Sequence, residues 1–470
     1  MAIIILGLFF IPKLLKPSVQ VEKSIAVLPF ANLGSDEDKA WFNDGITDII
    51  INQLSKISDI RVLGRTSTLK YRQEQKSISE IGKELGVNYI IEGTVQRQGD
   101  KMRISVQLIR VVNEGHIWSD IYDRYWKDIF EVQSDIAQRI AEGLKTVLTS
   151  KEIENIRKNP TDNLEAYNLY LKGRYFWDFR TEASLLKAID FFNQAVKLDS
   201  NYVLAYTGLA DSYIMLPWYS PPSSEAYLKA ELAALKALEI DSSLAEVHAT
   251  MGFVKLSKWE IASAKKEYLK AIELNSDYAT AHHWYALSLA CTGHFDQAVN
   301  EILEARKHDP LSLVINKNTG YIFISARQFD NGIEALNRLI EIDSNYSDTQ
   351  THIARAYFYK GMYENALSQI PKIKSKIWKG VIYAHLGHLD KARQILDELI
   401  LLSKSQYISP FDLAILYFSL GNEEQGFNSL EKAFRIHDLN LTEIRMWPEL
   451  DKFTSNPRYI DLIKKMGLQE

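Results

Sequence analysis

The sequence predicts an α+β amino-terminal domain built on a small mixed sheet, followed by an all-α superhelix of stacked helix pairs. Three observations carry this. Over residues 24–150, short β-rich apolar runs alternate with amphipathic helical stretches. From about Leu164 the pattern becomes continuous helix. Small residues then return every 34 positions, as Ala230 and Ala237, Ala264 and Ala271, Ala298 and Ala305.

The first domain reads in order. "SIAVLPF" is a short buried strand ending near Pro29, and "DEDKAWFNDGITDIIINQLSKI" spaces Phe42, Ile46, Ile49, Ile50 and Leu54 as a helix does. "IRVLGR" is a second strand. "SISEIGKELGV" is a helix with a Ser77 and Glu80 capping box and a Gly86 stop. "NYIIEGTVQRQGDKMRISVQLIRVV" is two strands around a "QGDK" turn. "GHIWSDIYDRYW" adds a strand, and "DIFEVQSDIAQRIAEGLKTVL" closes with an amphipathic helix. The resulting order, β-α-β-α-β-β-β-α, fits helices laid over a mixed sheet.

The array occupies residues 164–440. In "CTGHFDQAVNEILEARKHDP" (291–310) a glycine-aromatic turn starts a helix, Ala298 and Ala305 lie two turns apart on one face, and "HDP" ends it. Repeats run near 166–200, 203–244, 245–278, 279–312, 313–346 and 347–372. The second carries an insertion, "LPWYSPPSS", a candidate contact patch. Ala366 to Ala392 is a short step of 26, after which Ala392 leads by 34 to Gly426. About eight units are expected, and residues 441–470 read as a closing cap.

The first domain resembles the TolB amino-terminal-like domain, through "IAVLPFANLGSDEDKAWFNDGITDIIINQLSKI", "VLGRTST", "GKELGVNYIIEGTVQRQGDKMRISVQLI", "IWSDIYDR" and "IFEVQSDIAQRIAEGL". The array resembles tetratricopeptide repeat proteins. Together they resemble the sensory half of membrane-bound regulators, in which a winged-helix or adenylate cyclase domain precedes one membrane span. This sequence opens inside the apolar run, so neither cyclase activity nor DNA binding is carried over. The resemblance implies a non-enzymatic scaffold that binds protein or peptide partners. Its alternative is the ligand-sensing fragment of a split or truncated cyclase or regulator.

Composition narrows the rest. The 470 residues are 46% hydrophobic and 24% charged, with a net charge of −5 and no dense basic block, so nucleic acid is not an expected partner. Cys291 is the sole cysteine, which excludes internal disulfides and cysteine-built metal sites. "MAIIILGLFFIPKLLK" (1–16) holds about half the roughly 20 apolar residues of a full span, and membrane association through residues 2–15 is expected. The family likeness places the bulk on the extracytoplasmic side, whereas Lys13 and Lys16 favour the cytoplasm. Self-association is left open.

No phosphate loop, dinucleotide fingerprint, nucleophile elbow or HExxH pattern is present, and "LGRTST" lacks the phosphate-loop lysine. No catalytic residue, cofactor site or metal site is nominated. His385 and His388 could share a metal at i,i+3, but they sit in an ordinary repeat turn. His248 and His282, 34 apart, read as packing positions. In a tetratricopeptide superhelix the first helix of each pair lines the groove. That register gives His283, Leu287, Lys317, Tyr321, Arg355 and Tyr359 as partner-binding positions, suited to an acidic or aromatic-bearing peptide.

Overall fold

The computed structural model describes residues 22–32, 40–72, 74, 76–218, 224–346 and 349–469. The apolar segment 1–16 and the centre of "LPWYSPPSS" lie outside the described residues.

The first domain contains β1 (Ser24–Val27), β2 (Ala31–Asn32), α1 (Ala40–Leu54), β3 (Arg61–Val62), α2 (Ile78–Leu85), β4 (Tyr89–Gln98), β5 (Lys101–Arg110), β6 (Gly115–Tyr125) and α3 (Ile129–Gly143). The sheet runs β3-β1-β4-β5-β6, with β2 beside β4. β1 lies parallel to β3 and β4; β4, β5 and β6 are antiparallel. Period-two patterning sets its faces: on β5, Met102, Ile104, Val106 and Leu108 are buried while Lys101 and Arg103 are exposed. The buried face packs under α1 and α3, through Phe42, Ile46, Ile50, Ile136 and Ile140. The Ser77 and Glu80 capping box forms on α2, and Gly86 ends it at φ +65°. One further helix, α4 (Ser150–Arg157), lies where no element was expected. Its one buried residue, Ile156, is too little apolar content to make a periodic signal.

Eight helix pairs follow among the described residues. They are α5 (Leu164–Asp178) with α6 (Glu182–Leu198), α7 (Val203–Met215) with α8 (Ser224–Ile240), α9 (Ala245–Ser257) with α10 (Ile261–Leu274), and α11 (Ala279–Cys291) with α12 (Phe295–His308). Then come α13 (Leu313–Ser325) with α14 (Phe329–Ile342), α15 (Thr349–Tyr359) with α16 (Tyr363–Gln369), α17 (Lys376–His385) with α18 (Leu389–Leu402), and α19 (Pro410–Ser419) with α20 (Glu423–Arg435). Ala230, Ala264, Ala271, Ala298 and Ala305 are fully buried, which is what close helix approach requires. Gly173 and Gly208 clasp Phe192 from two sides; a Cβ at either would come within 2.5 Å of its ring. α16 is cut to seven residues by a tight turn at Ile370–Lys372, which accounts for the short step from Ala366 to Ala392.

Every intra-pair turn except that between α7 and α8, part of which lies outside the described residues, holds one residue in the left-handed region. Trp259, Gly293, Arg327 and Gly361 hold that place at 34-residue intervals, and Gly387 and Gly421 continue it. Trp and Arg pay a conformational penalty there that Gly avoids.

The carboxyl-terminal segment departs from a simple end cap. Residues 436–468 form tight turns at Leu439–Glu443 and Pro448–Phe453 and the helix α21 (Pro457–Lys465). They turn back over the repeats instead of prolonging the stack. His437 stacks on Trp259 at 3.9 Å, the Arg445 guanidinium lies against Gly293, and Arg327 pairs with Asp451. Three successive intra-pair turns thus form the seat of the segment.

The first domain is docked just as firmly. Tyr167 and Leu171 of α5 join its core, and Leu311 joins a second cluster with Leu63 and Ile81. The Gly64 N–H donates to the His308 carbonyl at 2.9 Å.

Candidate functional site: a walled groove

The first helices of the pairs, α5, α7, α9, α11, α13, α15, α17 and α19, line an inner surface. The first domain walls it on one side through Asp48, Arg65 and Arg72, and Glu443 and Trp447 of the returning segment wall it on another. The walled groove measures about 3370 Å³ and stays open to solvent along part of its length. Pockets for small ligands run to roughly 300–1,000 Å³, so this space is on the scale of a polypeptide segment.

Near the first domain the lining is ionic. Arg65 lies 2.8 Å from Asp178, 3.3 Å from Asp48 and 3.8 Å from Asp44. Burial raises the Asp48 carboxyl to about 6 against the pull of Arg65. Arg174 and Asp211 face each other at 3.6 Å, and Thr250 donates to Asp211 at 2.6 Å.

The middle is aromatic, with Lys317 and Arg180 as nearby cations. Trp284 stacks on Phe253, with ring centroids 5.0 Å apart. The Asn318 amide contacts His283 Nε2 at 2.7 Å. Burial, then the charges of Arg180 and Lys317, push the His283 pKa down to about 3, so this ring is neutral and Nε2 accepts. Leu287 and Lys317 are half-buried and line the cavity.

The far end is roofed by the chain itself. Tyr321 donates to Glu443 at 2.5 Å. Arg355, 2% exposed, lies 4.2 Å from the Trp378 ring, 4.5 Å from Trp447 and 5.0 Å from Tyr321. Trp447 stacks on Trp378 at 5.1 Å. Burial, reinforced by Asp438 and Glu443, raises the Asp412 carboxyl to about 7.

Five of the six expected positions, His283, Leu287, Lys317, Tyr321 and Arg355, line the cavity. Tyr359 is set behind it, between Phe329 at 5.7 Å and Trp378 at 6.3 Å. Tyr321 and Arg355 are not open groove, because Glu443 and Trp447 lie on them. Register alone puts these side chains on the inner face; His283 is then covered by its own repeats, with Asn318 on its ring, and Tyr321 and Arg355 by the returning segment.

His248 and His282 are built in, as their spacing suggests. His248 Nδ1 lies 2.6 Å from Glu267 and Nε2 lies 2.9 Å from the Ser242 carbonyl; His282 repeats this with Glu301 and Ser276. One repeat on, Asn316 donates to the Pro310 carbonyl at 2.9 Å. His385 packs on Phe358 and His388 on Tyr383, so their rings are committed to different aromatic neighbours. Among the described residues no group of three or more His, Cys, Asp or Glu is placed to hold a metal ion. No described helix is long and apolar enough to cross a membrane.

Residues 21–139 match the family of the second domain of HilA/YgeH-like transcriptional regulators, and residues 373–406 match a tetratricopeptide repeat family. The chain is 29% identical over 292 residues to "Putative adenylate cyclase 3" of Rhizobium meliloti (strain 1021), covering 60% of this chain and 43% of that protein. It is 27% identical over 332 residues to a TPR repeat-containing protein of Methanocaldococcus jannaschii, covering 62% and 53%. The chain spans about half the length of these relatives. Among solved structures, the Cut9–Hcn1 hetero-tetramer of the APC/C covers 72% of this chain and 63% of its own at 16% identity, with a TM-score of 0.43.

Proposed function

We propose that the chain is a non-enzymatic interaction scaffold that holds an extended protein or peptide segment in the walled groove. The observation that carries this is the size and lining of the cavity: about 3370 Å³, floored by the first helices of tetratricopeptide repeats. The accessible stretch offers the half-buried Leu287 and Lys317, which suits a partner bearing aromatic and acidic side chains. Recognition proceeds by hydrogen bonds, ring contacts and burial, without bond chemistry. A displayed peptide library selected on the purified chain should converge on a shared motif. Leu287→Asp and Lys317→Glu should each weaken that motif about tenfold. Selected peptides that bind both variants as tightly as the parent would overturn the reading.

A second reading is favoured by the relative named as an adenylate cyclase and by the regulator-family match of residues 21–139. In it the groove is the sensing half of a signalling protein whose effector domain is encoded separately or upstream, and the peptide is its signal. Cyclic AMP formation by an effector mixed with this chain, measured with and without the selected peptide, tests it. The TolB-like reading of the first domain belongs to this proposal, as does a membrane tether through residues 2–15 with the bulk of the chain extracytoplasmic. Protease digestion of a chain tagged at Glu470 in osmotically opened cells tests the tether and its side.

A further inference from the structure

The sheet of the first domain has two edges with different fates. The β3 edge is closed by the repeats: Arg61 reaches the Lys307 carbonyl at 3.3 Å and the Gly64 N–H takes that of His308 at 2.9 Å. Among the described residues the β6 edge has no strand beyond it. At eleven residues β6 is the longest strand of the sheet, and it contains no proline. A long unpaired edge of this kind is a template for another strand.

Two details show which groups face outward. The Ile121 N–H donates to the Asp120 carboxylate at 2.7 Å, and the Asp123 carbonyl accepts from Arg124 at 3.0 Å. Alternate residues of a strand turn their amide groups to opposite neighbours. Ser119, Ile121 and Asp123 therefore offer their backbone to the open side, masked at Ile121 and Asp123 by the strand's own Asp120 and Arg124, while the Tyr125 N–H is taken by Asp128 at 3.4 Å. Ile121 is 60% exposed and Tyr125 51%, both on the outer face of the sheet.

We propose that β6 is a homodimer interface, pairing antiparallel with β6 of a second copy to join the two sheets into one. Charge selects both occupant and register. With the two-fold axis at Tyr122, Asp120 of each copy faces Arg124 of the other, so the residues that mask the edge in one copy become two cross-strand ion pairs. The same register sets Ile121 opposite Asp123 and Ser119 opposite Tyr125. An axis at Asp120 would oppose two carboxylates, and an axis at Ile121 leaves neither charge a partner of opposite sign. Opposite charges directly across strands stabilise the pair and like charges destabilise it. A hydrophobic pattern alone specifies register weakly on a half-polar strand, and these charges supply it.

Sedimentation velocity of the full chain over a concentration series tests this, in mild detergent so that residues 2–11 do not drive association. The parent chain should show a reversible dimer. Ile121→Pro removes an outward N–H and should give a monomer with unchanged far-ultraviolet dichroism. Arg124→Asp sets like charges opposite and should raise the dimer dissociation constant about tenfold, and Asp120→Arg added to it should restore pairing. A parent chain that stays monomeric at the highest concentration overturns the inference. So does a dimer indifferent to both single variants, or an Arg124→Asp defect that the second change leaves in place.

Discussion

Ser67 donates a hydrogen bond to Asp309 across 242 residues of sequence, and the Leu311 N–H donates to the same Ser67 hydroxyl at 2.8 Å. Thr66 gives Asp309 a second bond. The "LGRTST" loop of the first domain and the "HDP" stop of the fourth repeat are therefore one buried joint. Because α5 also joins the first domain's core, that domain is anchored at the first and fourth repeats and closes the groove between them.

Asp309→Ala should cost about 1–3 kcal/mol, since the buried Ser67 hydroxyl would stay without its acceptor. Urea unfolding followed by tryptophan fluorescence reads this loss. Asp309→Asn should cost less, because its carbonyl oxygen still accepts one of the two bonds.

The pair His248 and His282 gives a pH dependence of definite sign. Each ring touches two acceptors, a carboxylate and a carbonyl, so both nitrogens must donate and the cationic form is held. The hydrogen bond to Glu267 is the main cause of the raised His248 pKa; at His282 burial opposes the charge, and Glu301 with the Ser276 carbonyl outweighs it. The stability these rings contribute is complete below their ordinary value near 6.5 and is lost as pH rises through the raised values. Thermal melts from pH 6 to 9 should fall accordingly. Changing both to Asn, the residue at position 316, should flatten that part of the profile.

Trp259→Gly tests the seat of the returning segment. Glycine relieves a left-handed backbone at φ +60°, worth about 1–2 kcal/mol. It removes the stack on His437 and the bond from the indole to Thr442 at 3.1 Å, and loss of a large aromatic costs about 3–5 kcal/mol when fully buried. A net loss of about 2 kcal/mol is expected. Limited proteolysis should show earlier cleavage after residue 436.

Arg355→Leu should destabilise by about 3 kcal/mol, because Glu443 and Glu449 would keep buried carboxylates without their nearest cation. Near-ultraviolet dichroism should lose the signal of the stacked Trp378 and Trp447 rings. Arg355→Lys should rescue little, since a compact ammonium cannot fill the planar slot between those rings and Tyr321.

Much of this was legible in the residues. The 34-residue return of buried alanines needs only helix geometry: side chains seven apart share a face, and a fixed period stacks identical faces. Alternation along Lys101–Arg110 told which side of β5 is wet. The short repeat was visible as the step from Ala366 to Ala392. Less legible was the meaning of Trp259 and Arg327. They stand where Gly293 and Gly361 show the turn's preference, and that anomaly was the one available sign that something rests on those turns.

The sequence by itself determined the order of the longer elements, the two-part architecture and the inner-facing register of His283, Leu287, Lys317, Tyr321 and Arg355, because periodicity is local and repeats with the chain; the two-residue β2 and the weakly apolar α4 escaped it. The tertiary structure alone decided that the groove is walled by the first domain and roofed at its far end by the returning segment. That outcome depends on contacts between residues far apart, Ser67 with Asp309, Trp259 with His437 and Arg355 with Trp447, and no period links such pairs. Their energies become available only once the superhelix has brought its own ends within reach.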